Sequence, residues 1–346
     1  MKLLRVFLSV LVLGLIVGVA YVGQATESAG AKMADAADKL LAALDGDQKA
    51  KAVLDFDDKE RFNWHFTPQQ DRDKKYTRKG LPLEEMSKEQ KEAAGELLRA
   101  GTSAAGYEKA TTIMSLEAIL ADLEGKGGAM VRNPGWYFFA IFGKPSKTGP
   151  WGWRVEGHHL ALNFTLDKGK IVSATPAFFG ANPAVYLAGP KKGQQLLPEA
   201  EEHAKELFKS LDDDQKKVAL QKERFPEIEE GAKVPTKVGE PKGLPAAKMT
   251  EKQRDLLQKL LQSYADRMPA DVAAVEMSRV KEAGLEKVHF AYQGGLAQGE
   301  AHTYRVQGPT FVVEFLNVQA DSAKNPANHI HSAWRSLKND FGLAAK

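Results

Sequence analysis

Eight histidines and no cysteine define the metal chemistry open to this 346-residue chain. Four of the histidines stand in two tight groups, His158-His159 and His329-Ile330-His331. Residues two apart on a strand turn their side chains to one face, so His329 and His331 could offer two imidazole nitrogens to a single divalent ion. On a helix the same side chains would diverge. His158 and His159 are neighbours, so on a strand they face opposite sides; at most one of them joins a site and the other is a structural histidine. His65, His203, His289 and His302 have no neighbour at ligand spacing and read as surface or packing residues.

Glu314 interrupts the apolar run Phe311-Val-Val-Glu-Phe315, where a lone carboxylate is expensive unless it is paired or ligated. It is the natural fourth ligand or general base. The alternatives are that it faces solvent by strand alternation or pairs with Arg305. Arg154, Arg305 and Arg335 are candidates for binding an anionic small molecule. If the stretch after His331 is helical, Arg335 lies one turn from His331. Asp340 could then act as a base or orient a histidine from behind. Asn339-Asp-Phe-Gly342 reads equally as a helix-ending turn. Two histidines plus a carboxylate suit iron, zinc or another divalent transition metal.

Other chemistries find no support. Without cysteine there is no disulfide, zinc thiolate, iron–sulfur cluster, cysteine nucleophile or lipidated N-terminus. Neither a phosphate-binding glycine loop nor a dinucleotide fingerprint is present, so a nucleotide cofactor is not expected; nor is there a Gly-x-Ser-x-Gly or His-Glu-x-x-His motif. The net charge of +3 carries no basic stripe with interleaved aromatics, which argues against nucleic acid as a partner.

The elements that must position these residues come in two sets. Leu40–Ala52 matches Leu207–Ala219 at seven of thirteen positions. Lys79-Gly-Leu-Pro82 with Met86 recurs as Lys242-Gly-Leu-Pro245 with Met249, each followed by a capping-box spacing, Ser87/Gln90 and Thr250/Gln253. Trp153–Gly157 aligns with Tyr304–Gly308, Leu160–Phe164 with Phe311–Phe315, and Asn182-Pro-Ala184 with Asn325-Pro-Ala327. This collinear series predicts a tandem, pseudo-twofold duplication of an α+β unit with an antiparallel sheet, in residues 31–195 and 196–346. Arg154 and Arg305 then share a position, which argues for a scaffold role, each held by a carboxylate or carbonyls. The densest histidine groups fall on opposite copies at non-equivalent positions, and could meet between them.

Helical periodicity covers 31–54, 87–123, 198–211 and 250–265; strands are expected at 136–142, 151–156, 158–165, 170–175, 288–292, 301–306 and 310–318. Gly180-Ala-Asn-Pro183 reads as a tight turn. Segments 72–82 and 229–245 read as exposed loops. A short basic start precedes an apolar run over residues 6–22, the pattern of a secretory leader ending near Ala25. The expectation is an exported, periplasmic or extracellular protein; an uncleaved leader would be its sole membrane attachment. Loss of Lys2 and Arg5 leaves 46 basic against 45 acidic residues.

The segments Arg154-Val-Glu-Gly-His-His159, Phe179-Gly-Ala-Asn-Pro-Ala184 and His329-Ile-His-Ser332, with Arg335 and Asn339-Asp-Phe-Gly342, resemble a bacterial family known as domain of unknown function 3500. The likeness spans about Leu40 to Gly342 and implies export but no reaction or cofactor. Three readings follow: a metal-dependent hydrolytic or oxidative enzyme, a non-catalytic metal- or ligand-binding module, or an interaction protein whose histidines merely pack.

Overall fold

The computed structural model describes residues 27–125, 128–232 and 238–343; the expected leader, residues 1–25, lies outside them. Among the described residues no helix is long and apolar enough to cross a membrane.

The first half of the chain forms α1 (Ala29–Ala43), α2 (Gly46–Ala52), β1 (Val53–Leu54), β2 (Leu81–Pro82), α3 (Lys88–Gly101), α4 (Ala104–Glu124), β3 (Phe138–Phe142), β4 (Trp151–Gly157), β5 (Leu160–Asp167), β6 (Lys170–Ser173) and β7 (Ala177–Ala181). The second half forms α5 (Pro198–Ser210), α6 (Asp213–Ala219), β8 (Leu244–Pro245), α7 (Glu251–Ala265), α8 (Ala270–Ala283), β9 (His289–Gly294), β10 (His302–Gln307), β11 (Phe311–Gln319) and β12 (His329–Ser336). The strands build one large mixed sheet in the order β1-β3-β4-β5-β7-β12-β11-β10-β9-β8, with β2 on β3 and β6 on β5. Strands of the two halves meet at the central antiparallel pair β7–β12.

Local sequence explains where the helices start and stop. The expected helix 31–54 breaks at Leu44, because Asp45 caps a new helix and exchanges capping-box bonds with Gln48. Likewise 87–123 divides at Thr102-Ser103, where Ser103 caps α4. The four capping boxes also lock together in pairs. Gln48 Nε2 donates to Gln90 Oε1 at 3.0 Å, and Gln215 Nε2 to Gln253 Oε1 at 2.9 Å. Gln90 and Gln253 reach back to the carbonyls of Ala43 and Ser210.

Strand registers agree between the halves. Arg154 pairs with Asn163 and Ala140, and Arg305 with Glu314 and Ala291. Val53 runs parallel to Ile141, and Leu220 parallel to Tyr292. The Asn-Pro-Ala match does not follow this scheme: Asn182 comes after β7, whereas Asn325 precedes β12. β7 itself occupies part of the expected tight turn, since Gly180 and Ala181 pair with His331 and Ile330.

Both faces of the central strands are buried. One face, with Trp153, Phe164, Phe179, Phe315 and Trp334, packs on α1, α3, α5 and α7 through residues such as Met33, Leu97, Leu207 and Leu257. The opposite face carries Arg154, Glu156, Asn163, Phe178, Arg305, Glu314, His331 and Arg335, all buried. Irregular stretches at 55–80 and 220–232 cover it, supplying Trp64, Phe66 and Ile228 to a second apolar cluster. Arg78, in a segment expected to be exposed, is buried there, donating to the carbonyls of His65, Thr67 and Gly157. A guanidinium has five donors and no acceptor, so a buried one recruits carbonyls in this way.

Candidate metal centre

β12 settles the geometry of the first histidine group. Its residues alternate in and out of the helical layer, so His329 and His331 emerge on the face away from the helices. Ile330, between them, is buried in the helical core. The second group is not in a strand. β4 and β5 are joined by the two-residue turn His158-His159, with Gly157 paired to Leu160. His159 has φ +64°, a left-handed conformation uncommon for a residue with a Cβ. A turn does not oppose successive side chains as a strand does, and the two rings stack with centroids 3.7 Å apart. The expectation of rings on opposite faces is therefore corrected; His159 reaches the site and His158 lies behind it.

Three ring nitrogens converge. His159 Nε2 lies 2.8 Å from His329 Nε2 and 3.3 Å from His331 Nε2, and the latter two are 3.1 Å apart. Nitrogens bound at about 2.0–2.1 Å to one tetrahedral zinc would be roughly 3.3 Å apart. One hydrogen bond can satisfy two such nitrogens and leaves the third lone pair unmatched. A cation coordinated by all three removes that conflict. His159, His329 and His331 together could hold a metal ion.

The surroundings of His159 and His329 favour the neutral ring, the form that ligates. Burial lowers His159 well below the usual histidine value, reinforced by His158, His329 and His331. Burial, then His331, His158 and Arg132, lowers His329 to about 3. The His331 Nδ1 sits 2.9 Å from Glu227 Oε1. A carboxylate there orients the ring and directs its other nitrogen inward. Burial tends to raise the Glu227 carboxyl, but the contact with His331 brings it below the ordinary value. Phe66 and Phe178, stacked on each other at 4.0 Å, wall the site, with Phe66 at 5.1 Å from the His331 ring. Gly180 makes room for His159: a Cβ there would lie 3.1 Å from His159 Cδ2 and 2.7 Å from the Ile330 carbonyl.

His159 and His331 are buried, His329 is half-buried, and the Glu227 side chain is 43% exposed. Behind the turn, His158 Nδ1 contacts Glu117 and lies 3.1 Å from Arg132 Nη1.

The remaining sequence candidates are engaged elsewhere. Glu314 does not join the histidine group; Arg305 Nη2 donates to it at 2.6 Å, and burial raises its carboxyl despite that pairing. Arg305 also donates to the Val238 carbonyl. Arg154 donates to the carbonyls of Glu60 and Asn63 and to the Glu60 carboxylate. Arg335 is on β12, not on a helix. The strand period places it on the same face as His331 but four residues further along, with its guanidinium over Trp64. Its Nε donates to Asp340 Oδ2 at 2.8 Å, and the Ser336 amide donates to Asp340 Oδ1 at 2.9 Å. Burial raises the Asp340 carboxyl in spite of Arg335. Asn339-Asp-Phe-Gly342 forms a short 3₁₀ turn, not the end of an α-helix.

Sequence reasoning missed Glu227, Glu117, Arg132 and Gly180. Glu227 lies 104 residues from His331 in a stretch without regular structure, so no periodicity pointed to it.

No curated protein and no solved structure matches the chain. Residues 26–343, nearly its whole length, match the family model described as "Protein of unknown function (DUF3500)", and the chain belongs to that family.

Proposed function

We propose that this is an exported metalloprotein whose three-histidine centre holds a divalent transition metal with an open coordination position, and that it works as a metal-dependent enzyme of hydrolytic or oxidative type. The observation that carries this reading is the convergence of His159, His329 and His331 Nε2 atoms at 2.8–3.3 Å. Three protein ligands are the arrangement of catalytic sites, whereas structural zinc sites are closed by four. A metal there would supply Lewis acidity and a bound water ionising near pH 7. The chain's own part is to hold His331 through Glu227, to exclude water on the Phe66–Phe178 side, and to leave the His329 side open. On this reading Glu314 and Asp340 serve as ion-pair anchors, and Arg154, Arg305 and Arg335 as scaffold cations.

The matching helix order, paired capping boxes and strand registers support a duplicated α+β unit related by a pseudo-twofold axis near β7–β12. The centre would then break that symmetry, taking His159 from one copy and His329 and His331 from the other. The basic-then-apolar start of the chain supports export. A non-catalytic metal-binding module would use the same nitrogens, and an exchangeable ligand at the open position separates the two.

The test is elemental analysis of the mature protein, purified without a histidine tag, beside a His329→Ala/His331→Ala variant. Near-stoichiometric metal in the wild type, lost in a variant that still folds, is expected. Absence of metal from the wild type, even after incubation with zinc, iron, manganese and copper salts, would overturn the reading.

A further inference from the structure

The ligands come from distant parts of the chain, and a chain of polar contacts ties their supports together. Arg132, in the segment between α4 and β3, grips Glu124 at the end of α4 with two bonds, Nε–Oε2 at 2.9 Å and Nη2–Oε1 at 3.0 Å. Its remaining arm, Nη1, lies 3.1 Å from His158 Nδ1, the same nitrogen that meets Glu117, so that the guanidinium and the carboxylate enclose one ring nitrogen between them. The His158 ring stacks on His159 and contacts Glu117, about two turns before Glu124 on α4. Glu124 Oε1 in turn accepts from Ser322 Oγ at 2.8 Å. Ser322 lies in the loop that leads from β11 into His329, and its amide donates to Asn182 Oδ1 at 3.3 Å. A single guanidinium thus faces the support of His159 on one side and, through Glu124, the loop before His329 on the other.

We propose that Arg132 is a positioning residue for the metal centre: it holds the His158-His159 turn and the 320–328 loop in fixed relation, so that nitrogens from both halves meet at one point. A guanidinium suits the task because its rigid planar fork fixes direction as well as charge. The pair is mostly shielded, with side-chain exposures of 12% for Arg132 and 20% for Glu124, so solvent does little to loosen it. Nearest the ligands, the His158 ring lies stacked on His159 with centroids 3.7 Å apart. The proposal rests on the metal reading above.

Cobalt(II) titration of the full mature chain tests it, because the visible absorption of bound cobalt reports ligand geometry independently of activity. Wild-type protein is expected to bind cobalt in a defined band pattern. Arg132→Ala is expected to weaken binding about ten- to a hundredfold, the usual effect of removing a group that supports a ligand, and to shift or broaden the bands. Arg132→Lys keeps the charge without the fork and should stay impaired; full recovery by lysine would overturn the positioning role. Cobalt affinity and bands unchanged in Arg132→Ala would also overturn it, even if the metal-free variant melted earlier. If Arg132→Ala does not fold, Ser322→Ala decides: removal of one hydroxyl should alter the bands, and an unaltered spectrum sinks the idea. Failure of the wild type to take up cobalt or any other metal would instead defeat the metal reading itself.

Discussion

Glu227 is the residue outside the ligand set whose role at the centre is most direct. One carboxylate oxygen contacts His331 Nδ1 at 2.9 Å, while the side chain as a whole stays 43% exposed. Its removal should therefore affect the histidine more than the fold. Glu227→Gln is expected to weaken metal binding about ten- to a hundredfold while leaving thermal unfolding of the metal-free protein nearly unchanged. Equal metal affinity in the two proteins, measured by chelator competition, would remove Glu227 from the site. At this scale the sequence was a partial guide. The spacing of His329 and His331 stated which side chains share a face; Glu314, read first as a ligand or base, instead meets the alternative raised beside that reading, a pairing with Arg305. Glu227 and Arg132 carried no such mark. Both sit in irregular backbone, where neither period two nor period 3.6 applies, and their partners lie 104 and 26 residues away.

Among the elements, β7 and β12 matter most, because their pairing brings the first half against the strand bearing two ligands. Gly180 sits in that pair opposite His331 and directly under the His159 ring. A methyl group there would press on the Ile330 carbonyl at 2.7 Å and on His159 Cδ2 at 3.1 Å. Backbone cannot yield as a flexible side-chain tip can. Gly180→Ala is expected to destabilise by about 1–3 kcal/mol and to weaken metal binding together with it. Urea unfolding and metal titration check both, and a variant equal to wild type in each would show the turn is free to move. Helix boundaries were legible where caps mark them, as at Ser87 and Thr250. β7, β12 and α8 were not assigned from sequence. The Gly180-Ala-Asn-Pro183 run carries turn residues, and its strand conformation is imposed by two flanking ladders, β5 and β12.

On the scale of the whole molecule, the non-helical face of the sheet closes by joining two irregular stretches more than 160 residues apart. Glu230 makes that joint, with Oε2 accepting from the Phe66 and Thr67 amides at 2.9 and 3.1 Å, and Oε1 from the Thr67 hydroxyl at 2.6 Å. Burial alone would raise its carboxyl, but contacts from His65, Thr67 and the Phe66 amide lower it to about 2. A carboxyl depressed in the folded state stabilises fully above its unfolded value and loses that contribution as pH falls toward the folded one. Wild type should thus exceed Glu230→Gln in stability at pH 7 by on the order of 1–2 kcal/mol, discounted because a quarter of the side chain is open to solvent. The gap should close between about pH 4.5 and 2. A gap independent of pH in urea unfolding would show that the charge contributes nothing.

The sequence by itself determined what depends on neighbours along the chain. Capping boxes, the period-two face of His329 and His331, and the parallel series of motifs in the two halves are local patterns. Family membership is the same kind of knowledge, carried by the succession of residue types from 26 to 343. Only the tertiary structure decided which of the His158-His159 pair faces the centre, because a two-residue turn with His159 at positive φ obeys no strand alternation. It likewise decided that both sheet faces are buried, and that a carboxylate at position 227 stands behind His331. Such contacts arise from how the two halves close on one another, and no one-dimensional period encodes the meeting of atoms so far apart in the chain.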